Sequence, residues 1–263
     1  MSTQNPTVLS LGGGVNSTAL LIGLVQKCTP PDLILFADTG AEHERTYVHL
    51  DEMDAWLAKQ GMDPIVRVNN AHREGFPHKS LEDECINNKT LPSLAFGFKG
   101  CSVKWKRQPM DRYVKTWEPA IKHWEAGGRV TRLIGIDAGE RHRGQIPDDN
   151  KFVYKFPLID WYWGRDECIA AIEGAGLEPP GKSACWFCPA SRKWEIIELA
   201  NKRPDLFERA VKMEHNAKSA LSTVRGLARN LSWEEIVDAD RRQVKMPFFM
   251  APSEPCMCFD GED

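Results

Sequence analysis

A short apolar run, Thr7–Leu11, stops abruptly at Gly12-Gly13-Gly14, and an Ala/Leu/Ile-rich stretch free of proline runs on from Val15 to Gln26. This reads as strand, glycine turn, helix. The turn decides what kind of chain this is. Glycines let backbone N–H groups face an anion without side-chain obstruction. The helix start adds unpaired N–H groups and the positive end of its dipole. Ser10, Asn16, Ser17 and Thr18 place short polar side chains beside Gly12, Gly13 and Gly14. The segment is built to hold pyrophosphate. It lacks the Gly-Lys-Ser/Thr of a Walker A loop, and it is not Gly-x-Gly-x-x-Gly. The competing reading is a glycine turn capped by Asn or Ser.

The pattern continues in kind. Leu33–Ala37 reads as a second strand, Thr46–Lys59 as a helix, Pro64–Val68 as a third strand, Val130–Ile136 as a fourth and Phe152–Pro157 as a fifth. Strands alternating with helices predict an α/β fold, a parallel five-stranded sheet flanked by helices. Tyr113, Trp117, Ile121 and Trp124 predict one helix running to about Ala126. Asn69–Gly100 reads as a long irregular segment with room for one short helix. Helices are expected at Arg165–Ala175, Lys193–Asn201, Pro204–Lys218 and after Ser232. The expected division is a nucleotide-binding domain over residues 1–161 and a helical C-terminal region over 162–263, packed as one unit.

Gly12-Gly-Gly-Val-Asn-Ser17 resembles the Ser-Gly-Gly-x-Asp-Ser loop of PP-loop (N-type) ATP pyrophosphatases, with Gly12 for the usual Ser and Asn16 for the usual Asp. Asn16 removes a carboxylate, and the backbone cradle is unaffected. Phe36-Ala-Asp-Thr-Gly-Ala-Glu-His-Glu-Arg-Thr-Tyr47, Leu133-Ile-Gly-Ile-Asp-Ala-Gly-Glu-Arg-His-Arg143 and Phe156-Pro-Leu-Ile-Asp-Trp161 are similar to segments of phosphoadenosine phosphosulfate (PAPS) reductase-like proteins. They occur in that family's order. The chain also resembles the ATP pyrophosphatases of DNA phosphorothioation systems. The resemblance implies the adenine nucleotide alpha-hydrolase-like fold, with ATP and Mg2+ as ligands.

Asp38 ends the second strand at the sheet edge where α/β folds bind ligands, and it is expected near the nucleotide or its Mg2+. Capping of the next turn is the alternative. Gly135 ends the fourth strand, where backbone can approach a nucleotide. Arg141 and Arg143 suit a pyrophosphate leaving group, or else form a solvated charge run with Asp137 and Glu140. His43 is a candidate substrate contact.

Eight cysteines call for an explanation in a chain expected to be cytoplasmic, where disulfides are disfavoured. No basic-then-apolar leader and no apolar run of roughly 20 residues is seen. Two pairs are close in sequence, Cys185-Trp-Phe-Cys188 and Cys256-Met-Cys258. In PAPS reductase-like enzymes with an iron–sulfur cluster, a Cys-Cys pair precedes a Lys and a Pro, and a Cys-x-x-Cys comes later. Cys101 fills the first place, Ser102 the second, and Cys185 and Cys188 the later pair. The resemblance thus implies a 4Fe-4S cluster on Cys101, Cys185 and Cys188, with Cys85, Cys256, Cys258 or no residue in fourth place. Zinc is the alternative, since it also takes thiolates. Cations Lys104, Lys106, Arg107, Lys182, Arg192 and Lys193 flank these thiols and suit a polyanionic substrate, although the net charge of −3 gives no global basic field.

The activity that the resemblance implies is ATP-dependent adenylation of a substrate with pyrophosphate release, for sulfur transfer to a nucleic acid, as in DNA phosphorothioation or tRNA thiolation. A PAPS or APS reductase is the alternative, although Pro255-Cys-Met-Cys258-Phe-Asp-Gly does not match the Glu-Cys-Gly end of such reductases. A non-catalytic nucleotide-binding subunit is a third reading. A cysteine desulfurase as sulfur donor and self-association as a homodimer are the partners left open.

Overall fold

The computed structural model describes residues 5–243. Five parallel strands form one sheet in the order β3-β2-β1-β4-β5. They are β1 (Thr7–Leu11), β2 (Leu33–Asp38), β3 (Val66–Asn69), β4 (Val130–Ile134) and β5 (Phe152–Lys155). β2 is buried along nearly its whole length. That explains its unbroken Leu-Ile-Leu-Phe-Ala run, because a sheet covered on both faces needs no polar alternation.

Helix α1 (Val15–Gln26) covers one face together with α2 (Glu44–Lys59) and the helix Arg165–Gly174. The opposite face packs Val8, Leu35 and Val130 against Met110 and Val114 of the helix Gln108–Thr116. A second core lies beyond the sheet edge. It joins Leu81, Cys85 and Trp105 to Trp186, Phe187, Ala210, Met213 and Trp233. The residues around 81–105 thus pack with the C-terminal helices, whereas Cys168 and Ile172 pack with the sheet. Among the described residues no helix is long and apolar enough to cross a membrane.

Most expected elements appear within a residue or two of their predicted bounds. The helix expected to run unbroken to Ala126 is instead two, Gln108–Thr116 and Glu118–Glu125. Pro119 lies in the first turn of the second helix, and Trp117 turns extended (φ −78°, ψ 116°) between them. A proline there starts a helix well but cannot continue one. The irregular stretch after Asn69 holds a helix at Leu81–Asn87, capped by the Ser80 hydroxyl accepting from the Asp83 N–H at 3.1 Å. Ser232 likewise accepts from the Glu235 N–H at 3.1 Å, while its own N–H donates to Glu235 Oε2 at 2.8 Å, a reciprocal cap for the helix Trp233–Gln243.

Glu214 is the buried acid of the second core, accepting from the Leu227 N–H at 2.7 Å and the Trp233 N–H at 3.0 Å. Burial pushes its carboxyl up to about 7 from 4.5, against the pull of those N–H donors. Between those values the folded chain keeps a proton that the unfolded chain has released. Stability therefore falls as pH rises through that window and levels off above it. The unfolding free energy in urea should drop by about 2–3 kcal/mol from about pH 5 to about pH 8. Glu214→Gln should remove that part of the slope. An unchanged slope would show that Glu214 is ionised throughout.

Candidate functional site

β1 delivers the chain to the carboxyl edge of the sheet, and α1 begins at Val15 with Gly14 as a cap that offers no side chain. Gly13 has φ +74°, and a β-carbon there would lie 3.1 Å from Thr46 and 3.3 Å from Phe36. Both facts require glycine. The Ser17 hydroxyl accepts from the Gly12 N–H at 3.0 Å and donates to the Gly14 carbonyl at 3.1 Å, which closes the turn on itself. The N–H groups of Gly13, Gly14, Val15, Asn16 and Ser17 have no acceptor among the described residues. Such a nest at the positive end of a 12-residue helix has the geometry to cradle an anion.

The cradle lies at the switch point of the sheet. From β1 the chain crosses to β2 on one side, while β4 pairs on the other side. Open parallel sheets bind ligands in the crevice this creates. Two features of β4's end shape it. Gly135 faces the backbone of α1's first turn: a β-carbon there would come 2.7 Å from Ser17 N and Cα and 2.8 Å from Asn16 C. Its small size therefore serves the close approach of strand end and helix start. Asp137 then accepts from Asn16 Nδ2 at 2.9 Å and from the Glu140 N–H at 3.0 Å. Asn16 Oδ1 is buried without a partner among the described residues. An amide can bridge to Asp137 where a carboxylate would repel it.

The remaining predicted residues divide by what their side chains touch. Asp38 Oδ1 accepts from the Gly40 N–H at 2.7 Å and the Tyr47 hydroxyl at 2.8 Å, so it holds the turn after β2. Burial first, and Asp38 second, push the Tyr47 phenol well above its usual value, so it stays a donor. Thr18 is fully buried, its hydroxyl 2.9 Å from His49 Nε2, and faces the core between α1 and α2 rather than the cradle. Ser10 lies within β1, opposite Leu35 and Ile134. Arg141 and Arg143 are exposed on the turn Ala138–Gly144, with Arg143 held by Glu140 at 2.6 Å.

Residues 183–188 close over this edge. The Ser183 hydroxyl donates to the Gly12 carbonyl, and the Trp186 N–H donates to the Ala41 carbonyl at 3.1 Å. The backbones of Cys185 and Glu42 pair in an isolated antiparallel bridge. Beneath it lies a buried polar group that sequence reading did not find. Lys106 Nζ is 2.9 Å from Glu42 Oε1, Thr39 Oγ1 donates to the same oxygen at 3.1 Å, and Thr39 Oγ1 is 3.2 Å from Cys185 Sγ. Burial alone would lower the Lys106 ammonium, but Glu42 and the two thiols outweigh it. No local signal marks this group, because its members are spread from Thr39 to Cys185.

Burial pushes the thiol of Cys185 far above its usual value, with Glu42 adding to the shift. Burial also raises Cys188, and Cys101 is near enough to raise it further. Cys85 is raised by burial and then by Glu84, and it shares a cavity of about 280 Å³ with Cys101. The thiols thus share a neighbourhood with Lys106, and their chemistry suits a soft metal centre. Among the described residues no three Cys, His, Asp or Glu side chains form a metal-holding group. Cys256 and Cys258 lie outside the described residues.

No protein-family model matches the chain. A curated protein of Escherichia phage 186, described as an uncharacterized 37.8 kDa protein in gpa 5'region, is 24% identical over 304 aligned positions, covering 94% of this chain and 80% of that protein. Among solved structures, the U34-tRNA thiolase NcsA from Methanococcus maripaludis with its 4Fe-4S cluster is similar with a TM-score of 0.42 and 14% identity. That match covers 92% of this chain and 72% of the thiolase chain. Likeness at these levels assigns neither a family nor an activity.

Proposed function

We propose that the chain is an ATP pyrophosphatase of the PP-loop type, activating an acceptor by adenylation with release of pyrophosphate. The observation that carries this reading is the cradle itself: five N–H groups at the start of α1 without an acceptor among the described residues, at the β1/β4 switch point where Gly135 closely approaches α1. The β- and γ-phosphates would take these donors. The acceptor oxygen attacks the α-phosphorus, the bond to the bridging oxygen breaks, and pyrophosphate leaves with its electron pair. Arg141, exposed beside the crevice, supplies a guanidinium for the charge that grows on the leaving group. The free oxygen of Asp38 is the carboxylate available to Mg2+ at the end of β2.

Sulfur transfer to the adenylated acceptor is the second half of the reading. It is supported by the nearness of the Cys185-Trp-Phe-Cys188 loop to the cradle, through Ser183 and Gly12. Cys101, Cys185 and Cys188, with Cys85, Cys256 or Cys258, are the residues that would hold a metal centre. An iron–sulfur centre, when bound, supplies an iron site for sulfide. A nucleic acid is the acceptor class, in DNA or tRNA.

Pyrophosphate release from ATP by anaerobically purified protein, with and without nucleic acid, tests the first half. ATP-dependent release of pyrophosphate is the expected result. Sulfite formed from PAPS in its absence would replace the reading with a reductase. Iron, sulfide and zinc analysis of the same preparation tests the second half. About one cluster's worth of iron and sulfide is expected. A colourless, zinc-loaded protein would sink the sulfur-carrying centre.

A further inference from the structure

A cleft lined by both apolar and polar side chains, away from the cradle, has a volume of about 660 Å³, a size suited to a small molecule or a base. His43, Arg45 and Val48 at the start of α2 line it together with Trp194, Lys202 and Arg203. Lys182 and Trp186 also line it. Lys182 precedes the residue that caps the Gly12 carbonyl, and Trp186 comes directly after Cys185. The cleft therefore borders the segment whose Ser183 holds the phosphate turn and whose Cys185 begins the thiol loop.

Two observations say what fits there. Trp194 is 57% exposed and Val48 44%, so an indole and an isopropyl group face solvent in one concave place. The cations around them are already neutralised. Lys182 pairs with Glu195 at 2.6 Å, Lys202 with Glu198 at 2.6 Å, Arg203 with Glu44 at 2.7 Å and Arg45 with Glu52 at 2.7 Å. A cleft with a bare indole and balanced charge has little to offer a polyphosphate. It suits a flat, uncharged heteroaromatic ring, held by stacking and by hydrogen bonds at its edge. His43 is present for such an edge contact, and burial lowers its pKa, which keeps the ring neutral.

We propose that this cleft is the acceptor subsite and takes one unpaired base of a single-stranded nucleic acid, stacked on Trp194. The inference rests on the ATP-activation reading for its purpose, but not for its measurement.

The test is fluorescence anisotropy with labelled oligodeoxythymidylate and oligouridylate, using the full chain and its Trp194→Ala and Trp194→Phe variants. The expected result is binding with a shallow salt dependence, weakened about tenfold in Trp194→Ala and largely kept in Trp194→Phe. Trp194 is exposed, so the thermal midpoint and ATP affinity should not move. Preference for one oligonucleotide over the other identifies DNA or RNA as the source of the base. Oligonucleotide binding that persists in Trp194→Ala with a steep salt slope would overturn the proposal in favour of a phosphate-reading surface. Absence of any oligonucleotide binding by protein that binds ATP would also overturn it. So would displacement of the oligonucleotide by ATP, which would put adenine in the cleft, or a Trp194→Ala effect confined to self-association. Oligonucleotide binding without ATP binding would leave the base subsite standing and remove the activation reading instead.

Discussion

Gly135→Ala is expected to abolish ATP-dependent pyrophosphate release and to destabilise the fold by about 2 kcal/mol, the cost of forcing a methyl group into packed backbone. The added β-carbon would meet Ser17 N at 2.7 Å and Asn16 C at 2.8 Å, atoms of the cradle's own main chain. Backbone has no rotamer with which to yield. Either β4 or the first turn of α1 must shift, and a shift of a few tenths of an ångström re-aims the N–H groups that would hold the phosphates. ATP binding by calorimetry and unfolding in urea measure the two effects. Gly174→Ala is the control: it ends a helix, and nothing lies within 4 Å of its would-be β-carbon. That substitution should leave both measurements unchanged or raise stability slightly. Full ATP binding by Gly135→Ala would mean that the cradle is not the nucleotide site.

Lys106→Met should be the most destabilising single change at the thiol loop, costing about 3 kcal/mol. The Glu42 side chain is fully buried and Lys106 is its cationic partner at 2.9 Å, so removing the ammonium strands a carboxylate away from water. Lys106 itself keeps 32% of its side chain exposed, which places the expectation at the low end for a broken buried pair. The double variant Glu42→Gln/Lys106→Met should recover most of the loss, because no charge is left stranded. Denaturant unfolding of the two single variants and the double variant forms a closed cycle. Additive losses would show that the pair does not interact. A cost below about 0.5 kcal/mol for Lys106→Met would show that water reaches Glu42.

Much of the architecture is legible in the sequence. β1, the glycine turn and α1 are local in sequence and carry their own signals: an apolar run, three glycines and a proline-free helix. The parallel sheet is implied by the alternation of strands and helices. A single helix through Trp117 is not what forms, because apolar spacing stays in phase across a break while Pro119 restarts the helix. The long stretch after Asn69 reads as irregular because its apolar residues serve a distant partner. Leu81, Cys85 and Trp105 pack on the C-terminal helices rather than on the sheet.

For the site, the sequence by itself determined the backbone cradle, since a donor nest needs only glycines and a helix start in succession. It also marked Gly135, although not its reason. Only the tertiary structure decided what the side chains do. It turned Thr18 to His49, tied Asn16 to Asp137 across 121 residues, and committed one Asp38 oxygen to Gly40 and Tyr47. It assembled Thr39, Glu42, Lys106 and Cys185 into one buried group, and it seated Ser183 on the carbonyl of Gly12. The physical reason is range. Backbone conformation is set by neighbours a few residues away, whereas the partner of a buried polar side chain is set by which elements the sheet order brings together.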